Sequence, residues 1–176
     1  MSSKILWKAS KRQKNKSNLF KYEKFLSLNY KFKASQKYKD LLKWSIKNPK
    51  KFWSSIWDFA EIKGLKNEKF FSSNIFFKNK FLKNSKLNFA ENLLSKNDHS
   101  KAITFISENG HKEFRTWKEL NKNVHKLITF FKSIEIKEKD RIAAYLPNLI
   151  ETVESFIATS AIGSIWSSCS PDFGTN

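Results

Sequence analysis

The sequence predicts an α/β protein with a helical N-terminal stretch and then an incomplete, parallel-rich sheet with flanking helices. Three observations predict it. Residues 141–174 read as strand, helix, strand and loop. A capping box at Thr116 opens a long amphipathic helix just before them. Aromatic residues at helical spacing fill much of the first half.

In chain order, Lys8 to Lys16 is polar and basic and reads as part of a solvated arm over residues 1–34. A helix is expected from Ser35 to Ile46, with Tyr38, Leu41, Leu42 and Ile46 on its apolar face. Asn48 is placed to cap the next helix. Pro49 takes its first position, where a missing N–H costs nothing. Phe52, Trp53, Ile56, Trp57 and Ala60 follow at helical spacing, a stripe that is core more often than binding surface. Gly64 is expected to end this helix. Residues 67–86 read as a loop anchored by Phe70, Phe71, Phe76, Phe77 and Phe81. Asn88 and Glu91 have capping-box spacing and open a short helix through Leu94.

Lys101 to Ile106 reads as a strand and Glu113 to Arg115 as its antiparallel partner. Asn109-Gly110 forms the turn, since both residues accept positive φ. Thr116 and Glu119 then cap a helix whose inward face is Trp117, Leu120, Val124, Leu127, Ile128 and Phe131. His125 lies at the edge of that face, a surface or half-buried structural position with no partner at metal or triad spacing. Ile142 to Leu146 is nearly all apolar, as a strand covered on both faces should be. Asn148 and Glu151 repeat the capping spacing ahead of a helix over Leu149 to Ile162, with Ile150, Val153, Ile157 and Ala161 inward. Gly163 is placed for a left-handed C-terminal cap. Ser164 to Ser168 is the next strand. Strand, helix and strand of these lengths imply parallel strands joined by a right-handed crossover.

Composition narrows the function classes. The 34 Lys and Arg exceed the 16 Asp and Glu, for a net charge of +18. Nucleic acid is the first partner such charge suggests. Only Arg12, Arg115 and Arg141 carry the rigid guanidinium fork that reads phosphate and guanine; the remaining cations are Lys. Lys, Asn, Ile and Phe all have A/T-rich codons, so the Lys excess reads as surface drift, which argues against a dedicated nucleic-acid surface. One cysteine, Cys169, excludes an internal disulfide framework and fits a reducing cytoplasm. No apolar run reaches the length of a membrane span, and the first residues lack the apolar stretch of a signal peptide.

No dinucleotide fingerprint, Walker loop, metal cluster or nucleophile elbow occurs. In an open parallel sheet, ligands bind beyond the carboxyl ends of the strands. Two such ends are in the chain, at Pro147-Asn148 and at Ser170 to Gly174. In the second, Pro171 stiffens the backbone, Asp172 offers charge and Gly174 permits close approach.

Three segments together resemble the acyl-CoA synthetases of the adenylate-forming superfamily. They are Trp44-Ser-Ile-Lys-Asn-Pro-Lys-Lys-Phe-Trp53 through Phe59, then Leu87-Asn-Phe-Ala-Glu-Asn-Leu-Leu94, and Asp140-Arg-Ile-Ala-Ala-Tyr-Leu-Pro-Asn148 continuing through Gly174. Acetate-type members usually carry a Gly-Gly-Phe loop where this chain has Ser170-Pro-Asp-Phe-Gly174, and the latter resembles the acetoacetate type. The resemblance implies an N-terminal arm at 1–34, a helical extension at 35–98 and the start of the AMP-binding large domain at 99–176. It further implies an acid–thiol ligase using ATP, coenzyme A and magnesium, with acetoacetate as small-molecule substrate. The acyl pocket is not in view, so another short acid such as acetate stays open, as does a non-catalytic remnant. The family's phosphate loop and catalytic lysine find no counterpart in this sequence, so no catalytic residue is assigned. By position, Ser170, Pro171, Asp172 and Phe173 are the candidates for the coenzyme A channel.

Overall fold

A computed structural model of the chain describes residues 6–35, 37–71, 73 and 75–174. It divides into two units, Met1–Lys86 and Leu87–Asn176. The helix at Phe89–Leu93, grouped with the helical extension in the sequence reading, therefore lies in the second unit.

The first unit opens with two helices where a solvated arm was expected. In α1 (Lys11–Lys16), Ser10 and Gln13 form a reciprocal capping box. Ser17 then joins it to α2 (Asn18–Asn29). Its hydroxyl donates to the Lys14 carbonyl at 2.6 Å and accepts from the Phe20 N–H at 3.2 Å. Tyr22 and Leu26, one turn apart on α2, are buried with Phe32 and with Leu41 of α3 (Tyr38–Lys47). Two turns of apolar burial outweigh the weak propensity of this Lys- and Asn-rich run.

The inward face of α3 also differs from the expected one. Leu41 is buried and Trp44 packs beside it, whereas Tyr38, Leu42 and Ile46 are exposed. Gln36, inside the range expected to be helical, lies outside the described residues. Pro49 opens α4 (Pro49–Phe59) as predicted. Asn48 does not cap it by its side chain; the amide instead donates back to the Trp44 carbonyl at 3.1 Å. Trp57 is buried, while Phe52, Ile56 and Phe59 pack on the core, with the Phe59 ring 5.0 Å from Tyr22.

The expected loop at 67–86 contains an antiparallel pair, β1 (Lys69–Phe71) and β2 (Lys80–Lys83). Strands this short, flanked by Lys, leave no alternation to read. Phe81 stacks against Trp53 and Phe70 at 5.1 and 5.3 Å, but Phe77 is exposed and anchors nothing. The side chains of Phe71 and Phe76 lie outside the described set.

In the second unit, α5 (Phe89–Leu93) is capped by Asn88. The hairpin β3 (Lys101–Ile106) and β4 (Lys112–Thr116) leads into α6 (Trp117–Ser133) through the Thr116–Glu119 capping box. The Thr116 amide holds the Glu119 carboxyl below the usual carboxylate range. At the hairpin turn only Gly110 has positive φ; Asn109 instead accepts the His111 N–H on its side chain at 3.1 Å.

Strand β5 (Arg141–Tyr145), helix α7 (Ile150–Ala161) and strand β6 (Ile165–Cys169) follow, and β5 pairs with β6 in parallel. Ile157, Ala158, Val124, Leu120 and Ala90 form the buried centre. Strand β5 alternates, with Ile142 and Ala144 half-buried and Arg141, Ala143 and Tyr145 exposed. Among the described residues β5 is therefore not covered on both faces as expected; α7 packs against β6. The N-cap of α7 is Leu149 without a side-chain bond, so Asn148 and Glu151 do not form the expected box. Gly163, at φ +76°, does take the left-handed cap.

With only four glycines in the chain, other helix ends use different residues. Lys31, Glu61 and Glu135 follow the last positions of α2, α4 and α6 with positive φ. Glycine accepts this conformation without steric cost. Glu135→Gly is therefore expected to raise stability by roughly 0.5–1 kcal/mol in urea denaturation.

A polar network closes the first unit. Asp58 accepts from Lys66 Nζ at 2.6 Å and from the Tyr30 hydroxyl at 2.5 Å. Desolvation pushes the Asp58 carboxyl up, but these two donors outweigh it and hold the carboxyl below its ordinary range. A group depressed in the folded state stabilises fully above its unfolded value and loses that contribution as pH falls through the folded one. Urea midpoints taken from about pH 7 to about pH 2.5 should fall less steeply on the acid side for Asp58→Asn than for the parent. Identical slopes would mean that Asp58 gains nothing from Lys66 and Tyr30.

Candidate functional site

Parallel register brings the carboxyl ends of the two strands to one edge, with Tyr145 opposite Cys169. Beyond Tyr145, the Leu146 amide donates to the Cys169 carbonyl at 3.3 Å. The Thr152 hydroxyl of α7 donates to the Pro147 carbonyl at 2.8 Å, fixing the turn into the helix.

Ser170, Pro171, Asp172 and Phe173 form one tight turn after β6. The Ser170 hydroxyl donates to Asp172 Oδ2 at 3.0 Å and accepts the Asp172 amide at 3.3 Å. The Phe173 amide closes the turn onto the Ser170 carbonyl at 3.1 Å. Ser170 is half-buried, while Asp172 and Phe173 face outward, the Phe173 ring 68% exposed. The turn thus presents a carboxylate and an aromatic face on a locally satisfied backbone.

Tyr145 was not among the sequence candidates. Its hydroxyl donates to the Pro171 carbonyl at 2.9 Å, tying the end of β5 to the turn after β6. The sequence reading expected this strand to be covered on both faces, so Tyr145 gave no signal there. Asn148 lies elsewhere, in an open cleft of about 320 Å³ with β3 residues Ile103 to Ile106 and with Ile150 and Val153 of α7. Ser170 to Phe173 do not line that cleft, so the two strand ends share an edge without sharing a cavity.

Helix α7, which sets the spacing of both ends, is held by charge. From β4, Arg115 reaches Glu151 at 3.1 Å, Glu154 at 3.4 Å and its neighbour Glu113. Glu154 is buried and also accepts from Asn123 Nδ2 of α6 at 2.8 Å. The hydrogen bond to Glu113, above all, holds the Arg115 guanidinium above its already high ordinary value. Among the described residues no group of three or more His, Cys, Asp or Glu is placed to hold a metal ion. His99, His111 and His125 are exposed, and His125 bonds the Asn121 carbonyl on its own helix at 2.8 Å. Among the described residues no helix is long and apolar enough to cross a membrane.

Residues 91–176 match the family described as AMP-binding enzyme. The curated relatives the chain matches include acetoacetyl-CoA synthetases. That of Xenopus tropicalis is 32% identical over 184 residues, spanning 100% of this chain and 26% of the relative. That of Rhizobium meliloti strain 1021 is 37% identical over 132 residues, 74% of this chain and 20% of the relative. The structure of acetoacetyl-CoA synthetase from Streptomyces lividans matches the fold with a TM-score of 0.87 over 98% of this chain and 27% of that one, at 23% identity. The architecture is therefore that of the N-terminal part of an adenylate-forming enzyme. The chain spans about a quarter of the length of the curated relatives it matches.

Removing the Arg115 guanidinium would leave Glu154 buried without its cation. Arg115→Met is expected to destabilise the second unit by about 3–5 kcal/mol in chemical denaturation. Adding Glu154→Gln should recover much of that loss, because the buried charge is then gone. No recovery in the double variant would show that Arg115 acts through packing alone.

Proposed function

We propose that this chain forms the N-terminal part of an ATP-dependent acid–thiol ligase that converts acetoacetate and coenzyme A to acetoacetyl-CoA. The observation that carries this reading is similarity to acetoacetyl-CoA synthetases along the whole chain, including the Ser170 to Gly174 turn. In the proposed reaction a carboxylate oxygen attacks the α-phosphorus of ATP and pyrophosphate leaves. The thiol then attacks the acyl carbon, loses its proton, and AMP departs. The purpose of the first step is the leaving group: AMP departs readily where an oxide would not. In this reading residues 35–98 are the helical extension and residues 99–176 begin the large domain, with 1–34 leading into them.

The turn after β6 is proposed to face the coenzyme A channel. Ser170 and Tyr145 fix its backbone, supported by their bonds to Asp172 and to the Pro171 carbonyl. Phe173 offers an apolar face. A carboxylate at Asp172 suits the N–H and O–H donors of the pantetheine arm, which carries no negative charge. Among the described residues no group of three or more His, Cys, Asp or Glu is placed to hold magnesium. A cytoplasmic location belongs to the same reading, supported by the single free cysteine, Cys169.

Transplanting residues 1–176 into an intact acetoacetyl-CoA synthetase, in place of its matching quarter, tests the assignment. The chimera should retain acetoacetate-dependent ATP–pyrophosphate exchange within about tenfold of its parent. The chain alone should show none. Exchange by the chain alone, or a folded chimera that accepts acetate and not acetoacetate, would sink the reading. In the same chimera, Asp172→Ala should raise the KM for coenzyme A roughly tenfold and leave pyrophosphate exchange, which needs no thiol, unchanged. An unchanged KM would remove the turn from the channel.

A further inference from the structure

We propose that the first unit carries a docking surface for anionic lipid bilayers. The net charge of the chain is not spread over it. Residues 1–86 hold 23 Lys and Arg against five Asp and Glu, a net +18; residues 87–176 hold 11 against 11, a net of zero. Codon-driven drift toward Lys acts on both halves alike. It therefore does not account for this segregation. Five carboxylates cannot neutralise 23 cations, so the first unit presents a positive field whatever its internal pairs.

The excess is greatest at the start of the unit. Between Leu6 and Lys39 the single acidic residue is Glu23, which is buried on α2. In α1, Lys11, Arg12, Lys14 and Lys16 are exposed, and the helix buries no residue. Just ahead of it Leu6 and Trp7 are 93% and 72% exposed.

Charge and exposed apolar groups together select the partner. Lysine heads on flexible stems suit a fluid layer of anionic headgroups, where no fixed geometry must be matched. Of the 23 cations of the unit 22 are Lys, so the bidentate fork that favours nucleic acid is nearly missing. Leu6 and Trp7 have a destination at the boundary between headgroups and acyl chains, where Trp is favoured. A duplex backbone offers them none. Interfacial binding scales with buried apolar area plus attraction to anionic lipids, and a polybasic patch beside an apolar wedge supplies both. Such docking is independent of the ligase chemistry.

The test is co-sedimentation of the 176-residue chain with phosphatidylcholine vesicles and with vesicles containing about one-third phosphatidylglycerol. Affinity for the anionic vesicles should be at least about tenfold higher at about 0.15 M salt and fall as salt rises. The variant K11Q/R12Q/K14Q/K16Q should lose roughly tenfold or more. K11R/K14R/K16R should bind like the parent, and circular dichroism should confirm that both keep their helix content. Trp7→Ser should weaken binding several-fold without changing the salt dependence. Equal affinity for both vesicle types would overturn the proposal, as would full binding by the charge-neutralised variant. So would an oligouridylate that displaces the chain from vesicles at equal charge concentration, which would assign the surface to nucleic acid.

Discussion

The second unit depends on the burial of helix α7. Ile157 and Ala158 sit in the centre with Val124 and Leu120 of α6 and with Ala90 of α5. A helix packed on that side must also satisfy its polar groups there. At its carbonyl end, Asn88 Nδ2 donates to Ser160 and Ala161, both at 3.1 Å. Midway, Glu154 is buried between Asn123 and Arg115. Thus one helix is tied to α5, α6 and the β3–β4 hairpin by groups that tolerate little displacement. The parallel pair inherits its spacing from this, since α7 is the connection between β5 and β6. The carboxyl edge of the pair, with the Ser170 to Phe173 turn, is therefore set by packing at a distance from it.

Much of this was legible from residue pattern. The Thr116 capping box, the inward stripe of α6 and the Gly163 cap each rest on a local rule with a single physical outcome. What failed had competing local outcomes. Asn48 and Asn148 both stand before helices, yet Asn48 spends its amide on the preceding carbonyl, and α7 begins from Leu149. Asparagine offers both a donor and an acceptor, and spacing does not reveal which is used. Helices α1 and α2 were missed because Lys and Asn mask them, although the Ser10–Gln13 box was readable. The inward face of α3 was misassigned because several apolar residues compete, and of the four expected only Leu41 joins the core of Tyr22 and Leu26. At the candidate site, composition named the Ser170 to Phe173 turn. The hydroxyl of Tyr145 that holds it comes from 26 residues away in sequence, a relation that only the parallel register discloses.

The two units also differ in how much each says about identity. The AMP-binding match begins at residue 91, inside the second unit. A strand–helix–strand with a ligand-facing loop is shared architecture, and by itself separates few members of such a family. The Xenopus relative, in contrast, aligns through all of this chain, and the Streptomyces structure overlays 98% of it. Helices α1 to α4 and the β1–β2 pair therefore carry information that the family match does not. Their core is aromatic, with Tyr22, Phe25, Phe32, Trp44 and Phe59 in ring contact across elements. Rings of this size fix relative helix positions closely, because a small shift opens a void or a clash. The Streptomyces structure keeps this fold at 23% identity, so the first unit's architecture is shared where the AMP-binding match does not reach.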